Sequence, residues 1–140
     1  MQSKQEDDLI FIRLFPDENI YEKLEDACRK YRVNTAIVIS GIGQLKDFKL
    51  GYFKEKGNYT PEYFEIPHEL LSLGGNIVKQ NEKHIFHLHA ILGNEKKEVV
   101  GGHLIEGMVE VTNEIILLKS KAILERKTED KTGLKGMFLE

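Results

Sequence analysis

Cysteine is almost absent from this chain of 140 residues. The one thiol, Cys28, cannot close an intrachain disulfide, and its place among apolar positions at helical spacing marks it as a small core residue. Positive charge is not in excess. The formal net charge is -3 and the sequence pI about 6.0, which excludes a global field drawing the protein to phosphate backbones or anionic membranes. Any nucleic-acid contact must then be local. Apolar runs of the roughly 18 to 20 residues that cross a bilayer are missing, because Lys, His or Gly interrupts each candidate. The first eight residues are polar and acidic and lack the apolar stretch of a secretory signal, so a cytoplasmic protein is expected. Repeats, linkers and low-complexity tracts are also missing. That leaves 1–140 as a single domain, with 1–7 and 127–140 expected as mobile tails.

What is present suffices for one globular core: 41% of residues are hydrophobic and 31% charged, an ordinary balance for a domain of this length. The most informative run is His87-Leu88-His89, followed after a polar turn by Gly101-Gly102-His103. In an extended strand side chains alternate, so His87 and His89 share one face while Phe86, Leu88, Ala90 and Leu92 share the other. A hairpin through residues 93–98 would return the chain antiparallel and bring His103 beside them. Three neutral imidazoles around an open position suit Zn²⁺ or a similar divalent ion.

Around this run the pattern predicts strands and one helix. Residues 9–15 read as a buried strand stopped by Pro16-Asp17, with Asp17 as helix N-cap. Ile20, Leu24, Ala27, Cys28 and Tyr31 then recur at helical spacing, predicting an amphipathic helix over a sheet. Residues 35–40 are β-branched and run into Gly41-Ile42-Gly43. Residues 45–53 predict a less regular strand, 59–67 a loop entering a short edge segment, and 70–78 a strand bent at Gly74-Gly75. Two strands are expected at 108–111 and 115–118, separated by Thr112-Asn113-Glu114, and a last one at 123–126. The fold class is α+β: a two-layer domain with a mostly antiparallel sheet and one main helix.

The string His87-Leu88-His89-Ala90, with Val99-Val100-Gly101-Gly102-His103-Leu104-Ile105-Glu106-Gly107, resembles the PPC (plant and prokaryote conserved) domain, also found in plant AT-hook nuclear proteins. The resemblance extends through Ile10-Phe11-Ile12-Arg13-Leu14, Ser40-Gly41-Ile42-Gly43, Leu71-Ser72-Leu73-Gly74-Gly75 and Thr112-Asn113-Glu114 towards Arg126 and Asp130. It implies a strand-rich domain with a packed helix, assembly as a homotrimer, a DNA-associated regulatory role, and a histidine metal site at His87, His89 and His103. An Arg-Gly-Arg-Pro AT-hook, which would place arginines in an A·T minor groove, is lacking. DNA binding by the plant proteins therefore does not transfer directly.

Several other residues are candidates. Glu106 lies three positions after His103, on the opposite face of a regular strand, so approaching a metal as a catalytic base would need a bulge helped by Gly107 or a reach into another subunit. Arg13 interrupts an apolar strand and fits an anion or a subunit contact. His68 and His84 read as structural. Ser40-Gly41-Ile42-Gly43 lacks the full spacing of a phosphate loop, and the lysine segments 46–56 and 119–135 are interleaved with acids. Three functions follow: a metal-binding regulatory module that meets DNA or protein, a zinc-dependent hydrolase of small molecules using the three-histidine site, and a module holding a small anionic metabolite between the metal and Arg13.

Overall fold

Alternating aliphatic residues build most of the molecule as sheet, and one amphipathic segment supplies its helix. The structure, a computed structural model, describes residues 1–139. In chain order its elements are β1 (Gln2–Glu6), β2 (Leu9–Leu14), α1 (Ile20–Lys30), β3 (Thr35–Gly51), β4 (Glu62–Phe64), β5 (His68–Gln80), β6 (Lys83–Gly93), β7 (Val99–Ser120), β8 (Glu125–Thr128) and β9 (Lys135–Phe138). The named strands pair antiparallel throughout.

Seven strands form one sheet in the order β1-β2-β7-β6-β5-β3-β4, and β7 also pairs with β3, so β3, β5, β6 and β7 close a circuit. His103 marks the closure: it lies opposite His89 of β6 on one side and Gly51 of β3 on the other. Closing a sheet requires bending, and β3 bends at register shifts between Val38 and Ser40, Gly43 and Leu45, and Lys46 and Lys49. Gly43 belongs to the second of these. At φ +148 a Cβ there would stand 2.0 Å from the Thr112 carbonyl oxygen, so the strands meet only because no side chain intervenes.

The helix starts at Asn19, whose side chain accepts hydrogen bonds from the Tyr21 and Glu22 amides. Asp17, expected as the cap, instead takes a left-handed turn at φ +65 and pairs with Lys46 at 2.7 Å. The cap moves because Pro16-Asp17 spends its residues turning the chain and the Glu18 carboxylate is taken by the Phe15 amide and the N-terminal ammonium, leaving Asn19 to cap. Ile20, Leu24, Ala27 and Cys28 are fully buried against β2, β6 and β7. The larger of these side chains contribute about 1.5 to 3 kcal/mol each by leaving water.

Continuity of the strands differs from expectation. Residues 108–118 are not two strands but part of the single strand β7, because Asn113 and Glu114 pair with Leu14 and Arg13 of β2 and with β3 on the other side. Residues 35–51 likewise form one bulged strand. The terminal segments expected as tails carry regular structure: Gln2–Glu6 pairs with β2 along its whole length, and β8 pairs with β9. The strand expected at 123–126 begins at Glu125 as β8, and β9 follows it as a further strand. Among the described residues no helix is long and apolar enough to cross a membrane.

Candidate metal centre

The alternation of β6 separates two chemistries. Leu88, Ala90 and Leu92 are buried, and this holds the odd-numbered side chains His87, His89 and Ile91 on the opposite, exposed face. The hairpin to β7 sets His103 directly opposite His89. The three imidazoles converge: one ligand-capable atom from each lies within 4.8 Å of the others, and their ring centroids are 5.1, 5.4 and 5.5 Å apart.

Glycines on β5 make the space. Gly74 lies opposite His89 and Gly75 opposite Leu88. Nothing stands within 4 Å of the place where a Gly74 Cβ would be, whereas at Gly75, with φ +142, a Cβ would meet the His87 carbonyl oxygen at 2.0 Å. Only glycine allows β5 to approach His87 this closely.

Two observations test the fit to a metal. His87 Nε2 and His89 Nε2 are 3.2 Å apart, close to the separation of about 3.4 Å that two nitrogens adopt on a tetrahedral zinc ion at 2.0 to 2.1 Å. His103 Nδ1 is buried without a hydrogen-bond partner, a costly state for a polar atom unless something binds there or the ring's other nitrogen is held productively. Protonation does not compete near neutrality at these two rings. Burial, then the charges of His87 and His89, push His103 down to about 4. Burial, then Arg126 and His89, also lower His87. Three nitrogen donors of this kind fit Zn²⁺ or a neighbouring transition ion and leave a coordination position open.

Tyr59 packs edge-on against His103 at 5.3 Å. Beyond it lies a cleft of about 210 Å³ lined by Tyr59, Phe86, His87, His103, Arg126 and Lys135, among others. Arg126 and its neighbours reach this cleft from the β8–β9 hairpin, and no local motif around the histidines announces them. The sequence signals are an arginine in a segment expected as strand and the extension of the family resemblance towards Arg126.

The remaining candidates lie elsewhere. Glu106 stays outside the histidine group and pairs with Lys49 at 3.0 Å. Arg13 is exposed rather than buried in its strand, and its guanidinium lies 5.2 Å over the Phe15 ring. The alternation of β2 explains this, because Ile12 and Leu14 take the inward positions. His68 is buried, with Nδ1 at 2.8 Å from the Ile66 carbonyl oxygen, and edge-on to the stacked rings of Phe48 and Phe64. His84 meets Glu25 through Nδ1 at 3.0 Å and the Val33 carbonyl through Nε2 at 2.8 Å. Both are structural.

A family model described as the Plants and Prokaryotes Conserved (PCC) domain matches residues 1–121. Among solved structures, a plant- and prokaryote-conserved protein of Pyrococcus horikoshii is 31% identical, with a TM-score of 0.81 over 99% of this chain and 96% of that one. A metal-containing protein of Archaeoglobus fulgidus is 26% identical, with a TM-score of 0.83 over 99% and 96%. A Bacteroides thetaiotaomicron protein, provisionally described as DNA-binding, shares the fold with a TM-score of 0.90 at 22% identity over 98% and 96%. The bifunctional protein GlmU of a Synechococcus strain is 27% identical over 132 residues, which are 92% of this chain and 20% of that protein. The chain thus spans about a fifth of that curated relative.

Proposed function

This chain belongs to the Plants and Prokaryotes Conserved domain family, and we propose that it works as a metal-binding module in which His87, His89 and His103 hold one divalent ion, Zn²⁺ by preference of the donor set. The observation that carries this reading is the convergence of three imidazoles with a buried, unpartnered nitrogen on His103. The metal-containing description of the Archaeoglobus relative supports it. A bound ion with an open position would supply Lewis acidity to a ligand. The chain's own part is to orient three rings, keep His87 and His103 unprotonated and hold the cleft beside them. Among the described residues no carboxylate joins the imidazoles, and Glu106 is engaged by Lys49. This favours ligand binding over hydrolysis with Glu106 as base.

Elemental analysis of protein purified without a histidine tag tests the reading, alongside the variant in which all three histidines are alanine. Near-stoichiometric metal in the first and none in the second is the expected result; equal, substoichiometric traces in both would overturn it.

The homotrimer implied by the family resemblance belongs to the same proposal. Ile91 and Val99 are 48% and 59% exposed, on the face of β6 and β7 that carries the histidines, and self-association would cover such side chains. Light scattering on the wild type and on Ile91→Glu reads this directly, with a trimer mass expected for the first and a smaller mass for the second. A DNA-associated role draws no support from the net charge of -3. Lys46, Lys49 and Lys127 are each paired with acids. Salt-dependent retardation of duplex fragments is the measurement that would establish such a role.

A further inference from the structure

The β8–β9 hairpin carries a buried arginine to the edge of the histidine site. Arg126 is 4% exposed. Its Nη1 donates to the Lys135 carbonyl oxygen at 3.1 Å and its Nη2 to Asn76 Oδ1, while Nε is buried without a partner. Both acceptors are neutral. Among the described residues no carboxylate forms an ion pair with this guanidinium, although buried cations are ordinarily compensated. Two of the five N–H donors of the fork are used, which leaves three.

The uncompensated charge borders the cleft of about 210 Å³ that also contains His87 and His103. Asn76, which orients the guanidinium, lies opposite His87 in the β5–β6 register. No acidic residue lines the cleft, whereas Lys135 adds a second cation to its wall. In a chain of net charge -3 this is a local concentration of positive charge, and a divalent ion on the histidines would increase it. The volume of the cleft is below the roughly 300 to 1,000 Å³ of pockets that enclose drug-sized ligands. That suits a small acid better than a nucleotide.

We propose that the cleft binds a small oxyanion, a carboxylate or a phosphate, with one end at the open position of the metal and the other on the Arg126 guanidinium that lines the cleft. The inference rests on the metal reading above and assigns the anion to Arg126 rather than to Arg13. Arg13 lies on the exposed face of β2, outside the histidine cleft. Charge-assisted hydrogen bonds from a planar fork match both ligand types. Arg126 also lies beyond the residues matched by the family model.

The full chain loaded with Co²⁺ gives a visible absorption spectrum that reports changes at the open position. Acetate, oxalate and inorganic phosphate are titrated separately, against chloride at matched ionic strength, and the thermal midpoint is recorded in parallel. A saturable spectral change with at least one oxyanion, accompanied by thermal stabilisation, is expected. Arg126→Gln weakens that affinity by about tenfold or more, the loss of one or two charge-assisted hydrogen bonds, and holds Co²⁺ affinity within about threefold. Should Arg126→Gln fail to fold by circular dichroism, Arg126→Lys keeps the charge without the fork and is expected to weaken the anion, again sparing Co²⁺. An anion response of unchanged affinity in the folded variant, or no response to any oxyanion in the Co²⁺-loaded wild type, overturns this inference and leaves the metal reading intact. Failure to take up Co²⁺ overturns both.

Discussion

The two faces of β6 use the same residue type for opposite purposes. His84 has a partner for each ring nitrogen, Glu25 and the Val33 carbonyl, and fastens α1 to the sheet. Three residues on, His87 meets another imidazole nitrogen instead of a protein acceptor, and across the hairpin His103 keeps a buried nitrogen with no partner. A histidine whose ring nitrogens both find protein partners is structural; three histidines that face one another, one of them with a buried unpartnered nitrogen, are a candidate metal site. The difference comes from strand alternation combined with what lies above each face, helix in one case and glycine-lined space in the other.

Removing a ring from each face breaks or sharpens this contrast. His89→Ala is expected to lower divalent-metal affinity by about a hundredfold or more, because two nitrogens hold zinc far less well than three. His84→Ala should leave that affinity unchanged and cost about 1 to 3 kcal/mol of stability by orphaning buried partners. Metal titration with a chromophoric competitor, paired with urea unfolding, reads both, and a drop in metal affinity for His84→Ala would erase the distinction.

Gly75→Ala tests the space beneath the histidine face. A Cβ driven into the His87 carbonyl at φ +142 should destabilise the fold by about 2 kcal/mol or more. A stability within error of the wild type would mean that the two strands do not approach as described.

Acid should act on the metal-free protein through the histidine face. His103 is held at about 4, against an ordinary 6.5, chiefly by burial. The unfolded chain therefore binds more protons than the folded one between these values. Stability that is full above the unfolded value is lost as pH falls from about 6.5 towards 4. His103→Asn should flatten that slope in unfolding measured with a chelator present, and an unchanged slope would assign the acid sensitivity to other groups.

The smallest effect belongs to Glu106→Gln. Its carboxylate and Lys49 form a partly exposed pair, so a change of about 1 kcal/mol or less in stability is expected, with metal affinity unaltered. A large loss of metal in this variant would return Glu106 to the site.

Much of this was legible along the chain because local rules governed it. The His87-Leu88-His89 alternation, the hairpin that returns His103, the helix bearing Leu24 and Cys28, and the structural roles of His68 and His84 follow from periodicities of 2 and 3.6 and from turn residues. The misreadings fall where tertiary pairing overrode a local signal. Thr112-Asn113-Glu114 looks like a turn, yet the strand continues because β2 and β3 flank it. The polar segment 2–6 reads as tail, but β2 offers it an edge. Asp17 reads as a cap, but the chain is still turning there.

Sequence alone determined which side chains share a face, because the pleat of a strand leaves no choice once the core residues are known. It could not determine what stands against that face from a distant part of the chain. The closure of β7 on both β6 and β3, and the position of Arg126 beside His87, arise when segments far apart in the chain are brought together. Such contacts depend on the register and curvature of the whole sheet, which no local pattern encodes.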